Sequence, residues 1–192
     1  MVPRQLQATD PNTVGKPDVA NLGWVRPPLV YSTSIMAGAL LTWLWPLPVA
    51  LPAAVPIGGA MVFASVLLFM FSVRALRAAG TPVRGNQPTA NIVRTGPYRF
   101  SRNPIYLSFF VLQLGIALWI SSIWMVATLI PAAAVVSRVV VPREERYLES
   151  KFGQQYSSYR DSVRRWLLTT QPSLAADARK RAQRKRGVRR RR

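Results

Sequence analysis

Hydrophobic residues in this chain are gathered into long blocks instead of being spread at the spacing of a soluble core. Residues 29–51 and 52–73 carry no charge, and residues 105–141 carry a single one. A helix needs about 20 apolar residues to cross a hydrocarbon core of roughly 30 Å, so each of the first two blocks can supply one span. The third block is too long for one span, and Ser121-Ser122 is the natural place for it to turn back. The pattern predicts an all-α, polytopic integral membrane protein with about four transmembrane helices, the last two forming a hairpin.

A second apolar pattern follows the last block. Apolar and aromatic side chains recur at helical spacing, with arginines between them, at Tyr156, Tyr159, Val163, Trp166 and Leu167. One apolar and one basic face are typical of a helix that lies in the plane of the membrane interface. We therefore expect a C-terminal amphipathic interfacial helix.

The charges of the connecting segments indicate how such a bundle is oriented. The connection at residues 46–56 is uncharged, whereas the connection at residues 74–103 contains six arginines. Because basic loops stay on the cytoplasmic side, both termini and the long connection should be cytoplasmic in an inner-membrane protein. Residues 1–28 are too polar for a signal peptide, so we expect Leu29 to begin a retained anchor.

The formal charge of +19 changes this picture little, because ten of the 26 basic residues lie in residues 179–192. We predict a disordered polybasic tail at residues 171–192, after a membrane domain at residues 29–170. Such a tail can bind anionic lipid or nucleic acid. Anionic lipid is favoured, and no specific nucleic acid is expected, because no aromatic residues for base recognition accompany the tail.

The chain contains no Cys and no His. Disulfides, thiolate chemistry and the commonest general base are therefore excluded, and no metal site is expected. Any chemistry must use Arg, Glu, Asp, Asn, Tyr and backbone groups.

Two polar segments, residues 96–106 and 142–156, flank the third apolar block. A hairpin would bring both to the same side of the membrane, where Arg102 and Glu144 should face one another. That arrangement can hold a polar cofactor beside an apolar substrate. The loop at residues 80–93, which leads into the first segment, is a candidate lid.

Each segment also has a purely structural interpretation. Asn103-Pro104 is typical of a helix start, with Asn as N-cap and Pro in the first turn. Glu144 and Glu145 would lie in the first turn of the next helix, where acids complement the helix dipole. The functional interpretation adds an anion site beside Arg102 and a partner for a cationic group at the acids.

The two segments resemble those of membrane-embedded methyltransferases related to isoprenylcysteine carboxyl methyltransferase, in their bacterial branch. The residues that carry the resemblance are Gly96-Pro97-Tyr98, Arg102-Asn103-Pro104-Ile105-Tyr106, Glu144-Glu145, Leu148, Phe152-Gly153, Tyr156 and Tyr159. The eukaryotic prenyl-protein enzymes have His where this chain has Asn103. This departure argues against prenylcysteine as the substrate.

The resemblance implies methyl transfer from S-adenosylmethionine to a lipophilic acceptor that arrives from the bilayer, by a core at residues 74–167. It implies Arg102, Glu144 and Glu145 as catalytic residues. It also implies a set of cofactor-binding residues: Gly96, Pro97, Tyr98, Arg102, Asn103, Tyr106 and Glu144.

Several alternatives remain open at this point. The acceptor can be a carboxylate, which is already ionised at neutral pH, or an amine, which needs a base such as Glu144 or Glu145. An NADPH-dependent enzyme of the sterol-reductase type is a second hypothesis. A non-catalytic membrane anchor with a basic tail that binds lipid or nucleic acid is a third.

Overall fold

The computed structural model of the chain describes residues 26–48, 51–82 and 89–167. The expected N-terminal segment lies outside the described residues except for residues 26–28, and the polybasic tail at residues 171–192 lies wholly outside them. Within the described part no β-strand is present, which confirms the all-α class. The helices are α1 Pro27–Leu44, α2 Ala54–Ala78, α3 Pro104–Trp119, α4 Ile123–Val135, α5 Val141–Phe152 and α6 Gln154–Ser162, with a 3₁₀ turn Gly96–Arg99 and a π-turn Val136–Val140.

The first four helices form a bundle in which sequence neighbours are not always packing neighbours. α2 packs against α3, α3 packs against α4, and α4 packs against α1. The spatial order is therefore α2, α3, α4, α1, and α3 and α4 form the predicted hairpin at its centre.

The turn of this hairpin lies where the sequence predicts it. α3 ends at Trp119, Ser121 adopts a positive φ of 51°, and the Ser122 hydroxyl accepts a hydrogen bond from the backbone N–H of Met125 at 3.3 Å. Ser122 is thus the N-cap of α4. The connection between α1 and α2 pairs with this turn, because Ile123 N–H donates to the carbonyl of Leu47 at 3.1 Å. Both connections therefore lie at the same end of the bundle.

The bundle hides small and polar side chains and exposes large apolar ones. Trp43 is 79% exposed, whereas Gln113 is fully buried. The amide nitrogen of Gln113 donates to the hydroxyl of Ser34 at 2.7 Å, and Ser34 in turn donates to the carbonyl of Thr128 at 2.9 Å. This inversion is expected when lipid surrounds the helices, since small residues permit close approach and polar ones bond across the interface.

By length and apolar composition, two helical segments in the described part of the chain could cross a membrane, Ala54–Ala78 and Ile123–Phe152. The second comprises α4, the π-turn and α5. α3 is also apolar but has only 16 residues. The four predicted spans are thus not confirmed, and they remain a prediction together with the interfacial position of the C-terminal helix.

Two expectations about helix ends need correction. Glu144 and Glu145 were expected near the start of a new helix; Glu144 does lie in the first turn of α5, but α5 continues directly from α4 and the π-turn as one segment, Ile123–Phe152, so no free helix N-terminus lies beside the acids. The π-turn before Pro142, in which Val141 N–H donates to the carbonyl of Val136, accommodates the proline without a break. The amphipathic helix was expected to reach Leu167 but ends at Ser162, because Val163 is extended with φ −123° and ψ 136°.

Helices α2 and α3 approach each other at two glycines. A Cβ atom on Gly58 would lie 2.4 Å from the backbone nitrogen of Trp119 and 2.6 Å from the carbonyl oxygen of Gly115. A Cβ on Gly115 would likewise lie 2.9 Å from the backbone nitrogen of Val62. These contacts are with backbone atoms, which cannot rotate away, so glycine is required for the observed distance between the helices.

We expect Gly58→Ala to destabilise the bundle by about 1–3 kcal/mol, the range for overpacking, because α2 and α3 must separate. Gly59→Ala is the matched control, since a Cβ atom on Gly59 would meet no atom within 4 Å and alanine favours a helix. Thermal unfolding of both variants in detergent measures the difference. Equal midpoints for the two variants would contradict the close-packing interpretation.

Candidate active site

A cavity of about 610 Å³ lies at the end of the bundle opposite the Ser121-Ser122 turn. Both polar segments of the sequence contribute to its walls, as does the start of α1. Its volume lies in the range of pockets that enclose a drug-sized ligand. The polar wall is formed by Tyr98, Arg102, Asn103, Tyr106, Glu144, Glu145, Tyr147, Tyr156 and Tyr159, and the apolar wall includes Pro27, Leu29, Phe69, Leu76, Ile105, Phe109 and Leu148.

The 3₁₀ turn Gly96–Arg99 carries Tyr98 into this wall. Gly96 has φ +58°, a conformation that glycine adopts without strain. The ring of Pro97, the next residue, fixes its own φ angle. The hydroxyl of Tyr159 donates to the carbonyl of Tyr98 at 2.8 Å and ties the turn to α6. Gly96 and Pro97 do not line the cavity. Their predicted contact with the cofactor stays a prediction, and their observed effect is to place Tyr98.

A carboxylate shared by two arginines joins three parts of the chain. Arg102 Nη1, just before α3, lies 3.1 Å from Glu145 Oε1 on α5. Arg165, after α6, donates from Nε to Glu145 Oε1 at 3.0 Å and from Nη2 to Glu145 Oε2. The side chains of Arg102 and Glu145 are 11% and 12% exposed, so this contact is largely shielded from water.

Glu144 was expected to face Arg102, and this expectation was wrong. Glu145 makes that contact, whereas Glu144 Oε1 accepts a hydrogen bond from the Tyr106 hydroxyl. Adjacent residues of a helix point about 100° apart, so one of two neighbouring acids can face Arg102 while the other faces α3. Both acids still line the cavity.

The two acids therefore differ in the charges around them. Glu145 has two cationic partners, whereas no Lys or Arg in the described residues lies within ion-pair distance of Glu144. Arg102 Nε and Nη1 are both buried and neither makes a hydrogen bond to a described residue, although Nη1 lies within ion-pair distance of Glu145. A buried donor without a partner is costly and points to a ligand acceptor. The cavity thus offers a donor for an anionic group and a carboxylate for a cationic one.

Asn103 occupies the N-cap position of α3, but its side chain does not cap the helix. Its amide nitrogen lies 3.5 Å from the carbonyl of Arg165, and its backbone N–H donates to the Ser101 hydroxyl at 3.2 Å. The simple capping interpretation of Asn103 was therefore wrong. The residue instead links the start of α3 to the segment after α6.

The candidate lid contributes both of its described ends to the cavity. Thr81 and Asn91 line it, and the Thr81 hydroxyl both donates to the carbonyl of Asn91 at 3.1 Å and accepts from its N–H at 3.2 Å. The Asn91 side chain also donates to the carbonyl of Ala79 at 2.9 Å. These bonds close the base of the loop; its function as a lid stays a prediction.

Arg165 was not predicted as a site residue, and Tyr156 and Tyr159 were predicted as part of an amphipathic face and of the family motif but not as residues of the site. The spacing of the two tyrosines in the motif was a usable signal, whereas Arg165 is one of several arginines in its region. Burial raises the pKa of Tyr156 to about 12; Glu145 acts in the same direction and Arg102 opposes it. Burial also raises the pKa of Tyr159. Both phenols are therefore neutral hydrogen-bond donors at neutral pH.

A comparison with known protein families assigns the chain to one of them. The chain matches the phospholipid methyltransferase family over residues 53–155, more than half of its length. It therefore belongs to this family of membrane methyltransferases, which confirms the resemblance drawn from the two polar segments and implies methyltransferase activity.

One curated relative, an uncharacterized protein of Haemophilus influenzae, is 40% identical over 63 residues, which are 33% of this chain and 100% of that protein. No solved structure matches the chain.

The different partners of the two acids predict different effects on stability. Glu145→Gln should lower the free energy of unfolding by about 1.5–3 kcal/mol, the range for hydrogen bonds to charged groups, because two arginines lose their counter-charge. Glu144→Gln keeps an oxygen that can accept the Tyr106 hydrogen bond and should unfold like the wild type. Chemical denaturation in detergent measures both, and a larger loss for Glu144→Gln would contradict the assignment.

Proposed function

We propose that this protein transfers a methyl group from S-adenosylmethionine to a lipophilic acceptor at the cytoplasmic face of the inner membrane. The observation that carries the proposal is a cavity in which two groups lie beside an apolar wall. They are the Nε of Arg102, unbonded, and the carboxylate of Glu144, which has no cationic partner; both statements refer to the described residues. Membership of the phospholipid methyltransferase family supports the proposal independently.

The residues of the cavity fit S-adenosylmethionine. That molecule carries a carboxylate, an ammonium group and a sulfonium, so it needs one anion site and one cation site close together. Arg102 can bind the carboxylate through its free Nε–H, and Glu144 can bind a cationic group in the same cavity. Tyr98 and Tyr106 offer aromatic faces to which a cation is attracted.

When bound, S-adenosylmethionine supplies an electrophilic methyl group on sulfur. Methyl transfer is an in-line displacement, so the protein contributes mainly positioning and exclusion of water. Arg102, held by Glu145, fixes an anionic group. The loop base at Thr81 and Asn91, with the turn that carries Tyr98, encloses the polar end of the cavity.

The apolar wall supports a lipophilic acceptor. Leu29 of α1, Phe69 of α2 and Ile105 and Phe109 of α3 line the cavity on the side where these helices expose apolar residues. A carboxylate acceptor needs no base, whereas an amine acceptor must lose a proton, for which Glu144 is the available carboxylate. Transfer of labelled methyl groups to a lipid extract determines the chemical class of the acceptor.

The polybasic tail at residues 171–192 keeps its proposed role as an anchor for anionic lipid. Its ten positive charges at residues 179–192 would each contribute about 1 kcal/mol near an anionic surface. Specific binding of nucleic acid is not part of the proposal.

The proposal is tested by calorimetric binding of S-adenosylmethionine to the purified protein, and by transfer of labelled methyl groups to a lipid extract. We expect both to be observed, and the labelled product identifies an O-methyl or N-methyl acceptor. Protein that binds NADPH and not S-adenosylmethionine would contradict the proposal and favour a reductase.

Arg102→Lys separates a cofactor role from an acceptor role. Lysine keeps the charge beside Glu145 but has no Nε–H in a planar fork. We expect the affinity for S-adenosylmethionine to fall by about 1.5–3 kcal/mol, the range for hydrogen bonds to charged groups. Arg99→Lys, at the end of the preceding 3₁₀ turn, exposed and outside the cavity wall, is the matched control.

A variant with normal cofactor affinity and a lower kcat would instead place Arg102 against the acceptor. If Arg102→Lys behaved like the wild type in both measurements, Arg102 would have no role in the site.

A further inference from the structure

The segment after α6 holds one arginine whose position is explained by the site and not by the bundle. Residues 163–167 leave the helix and run back to the start of α3. Arg102 N–H donates to the carbonyl of Arg164 at 2.9 Å, and the Ser101 hydroxyl donates to the carbonyl of Arg165 at 3.0 Å. These contacts use the backbone of the segment, so they fix its path whatever the side chain of residue 165.

The Arg165 side chain adds a separate contact with Glu145. It binds both carboxylate oxygens through two guanidinium nitrogens, the planar arrangement that only arginine provides. The side chain is 36% exposed, whereas the Glu145 carboxylate that it binds is 12% exposed. Arg165 therefore reaches inward from the surface to a shielded acid.

The contact between Arg165 and Glu145 affects which atoms of Arg102 are available to a ligand. Glu145 forms an ion pair with Arg102 through Nη1, while Nε of Arg102, a residue of the cavity wall, has no hydrogen-bond partner among the described residues. A carboxylate bound by Arg102 alone can rotate to meet both edges of that guanidinium, as in a bidentate pair. With both of its oxygens held by Arg165, Glu145 cannot turn to reach Arg102 Nε.

We propose that Arg165 is a positioning residue that acts through Glu145 to keep the Nε edge of Arg102 free for an anionic group of the ligand. Arg165 lies outside the residues that match the methyltransferase family. The inference deepens the proposed function and rests on it, because the anionic group in question is the carboxylate of the methyl donor.

The experiment is a double-mutant cycle between Arg165→Gln and Arg102→Lys. The probe is S-adenosylhomocysteine, which keeps the amino-acid carboxylate, and its affinity is measured by calorimetry on the full chain in detergent. We expect Arg165→Gln to weaken binding roughly tenfold, the lower end of the effect seen when residues that orient a ligand-binding group are removed. The double variant should bind like Arg102→Lys alone, because both changes remove the same interaction.

Two controls separate positioning from folding. Arg164→Gln changes the neighbouring side chain, which is exposed and donates to the carbonyl of Leu167, and should bind the probe like the wild type. Methylthioadenosine, which lacks the amino-acid carboxylate, should bind Arg165→Gln and wild type equally. Arg165→Lys keeps one contact with Glu145 and should give intermediate affinity for S-adenosylhomocysteine; it also serves if Arg165→Gln does not fold.

The outcomes are distinguishable. Wild-type protein that does not bind S-adenosylhomocysteine would overturn the proposed function, and this inference with it. Wild-type protein that binds it, together with an Arg165→Gln variant of equal affinity, would overturn the inference alone. Additive effects in the double variant, or an equal loss of methylthioadenosine binding, would show that Arg165 stabilises the fold instead of positioning Arg102.

Discussion

Glu145 carries one negative charge between two guanidinium groups that come from distant parts of the chain. Arg102 precedes α3, Glu145 lies on α5, and Arg165 follows α6. Removing Glu145 leaves the largely shielded Arg102 without its counter-charge, which is the costly way to break a buried ion pair. The entrance of α3, the polar end of the long helix and the returning C-terminal segment are therefore fixed relative to one another by a single carboxylate.

The bundle beneath this cluster obeys a different constraint. Its helices pack through glycines and serines and present tryptophan, phenylalanine and leucine outward, the pattern expected of a bundle that lipid surrounds. The cavity lies between the charged cluster around Glu145 and the apolar part of the bundle. Charged side chains line one wall and apolar residues of the bundle the other, which suits the proposed reaction between a polar donor and a lipophilic acceptor.

Much of this arrangement follows from the sequence. The uncharged blocks predicted the helices, and the length of the third block predicted the turn at Ser121-Ser122, which the structure confirms. The end of α6 could not be predicted in the same way. Val163 continues the apolar spacing of a helix, yet it packs against Tyr156 and Tyr159 in an extended conformation, because the next residues bond to the start of α3.

The sequence predicted which residues lie close together in the site, but not which side chains contact one another. Arg102 and Tyr106 belong to one motif, and Glu144 and Glu145 belong to the other. The hairpin brings both motifs to one end of the bundle, and all four residues line the cavity. Which acid meets which partner depends on side-chain direction, and no residue in the motif encodes it. Arg165 could not be singled out, because its role comes from the path of the chain after α6.

The π-turn Val136–Val140 accounts for that direction. Such a turn holds one more residue than an α-helical turn, so every later side chain is rotated by about 100° relative to an uninterrupted helix. In an uninterrupted helix of the same length, Glu144 would take the orientation that Glu145 has now and would face Arg102. The extra residue thus determines which of the two acids faces Arg102. On a regular helix, the same motif would place Glu144 in the ion pair instead of Glu145.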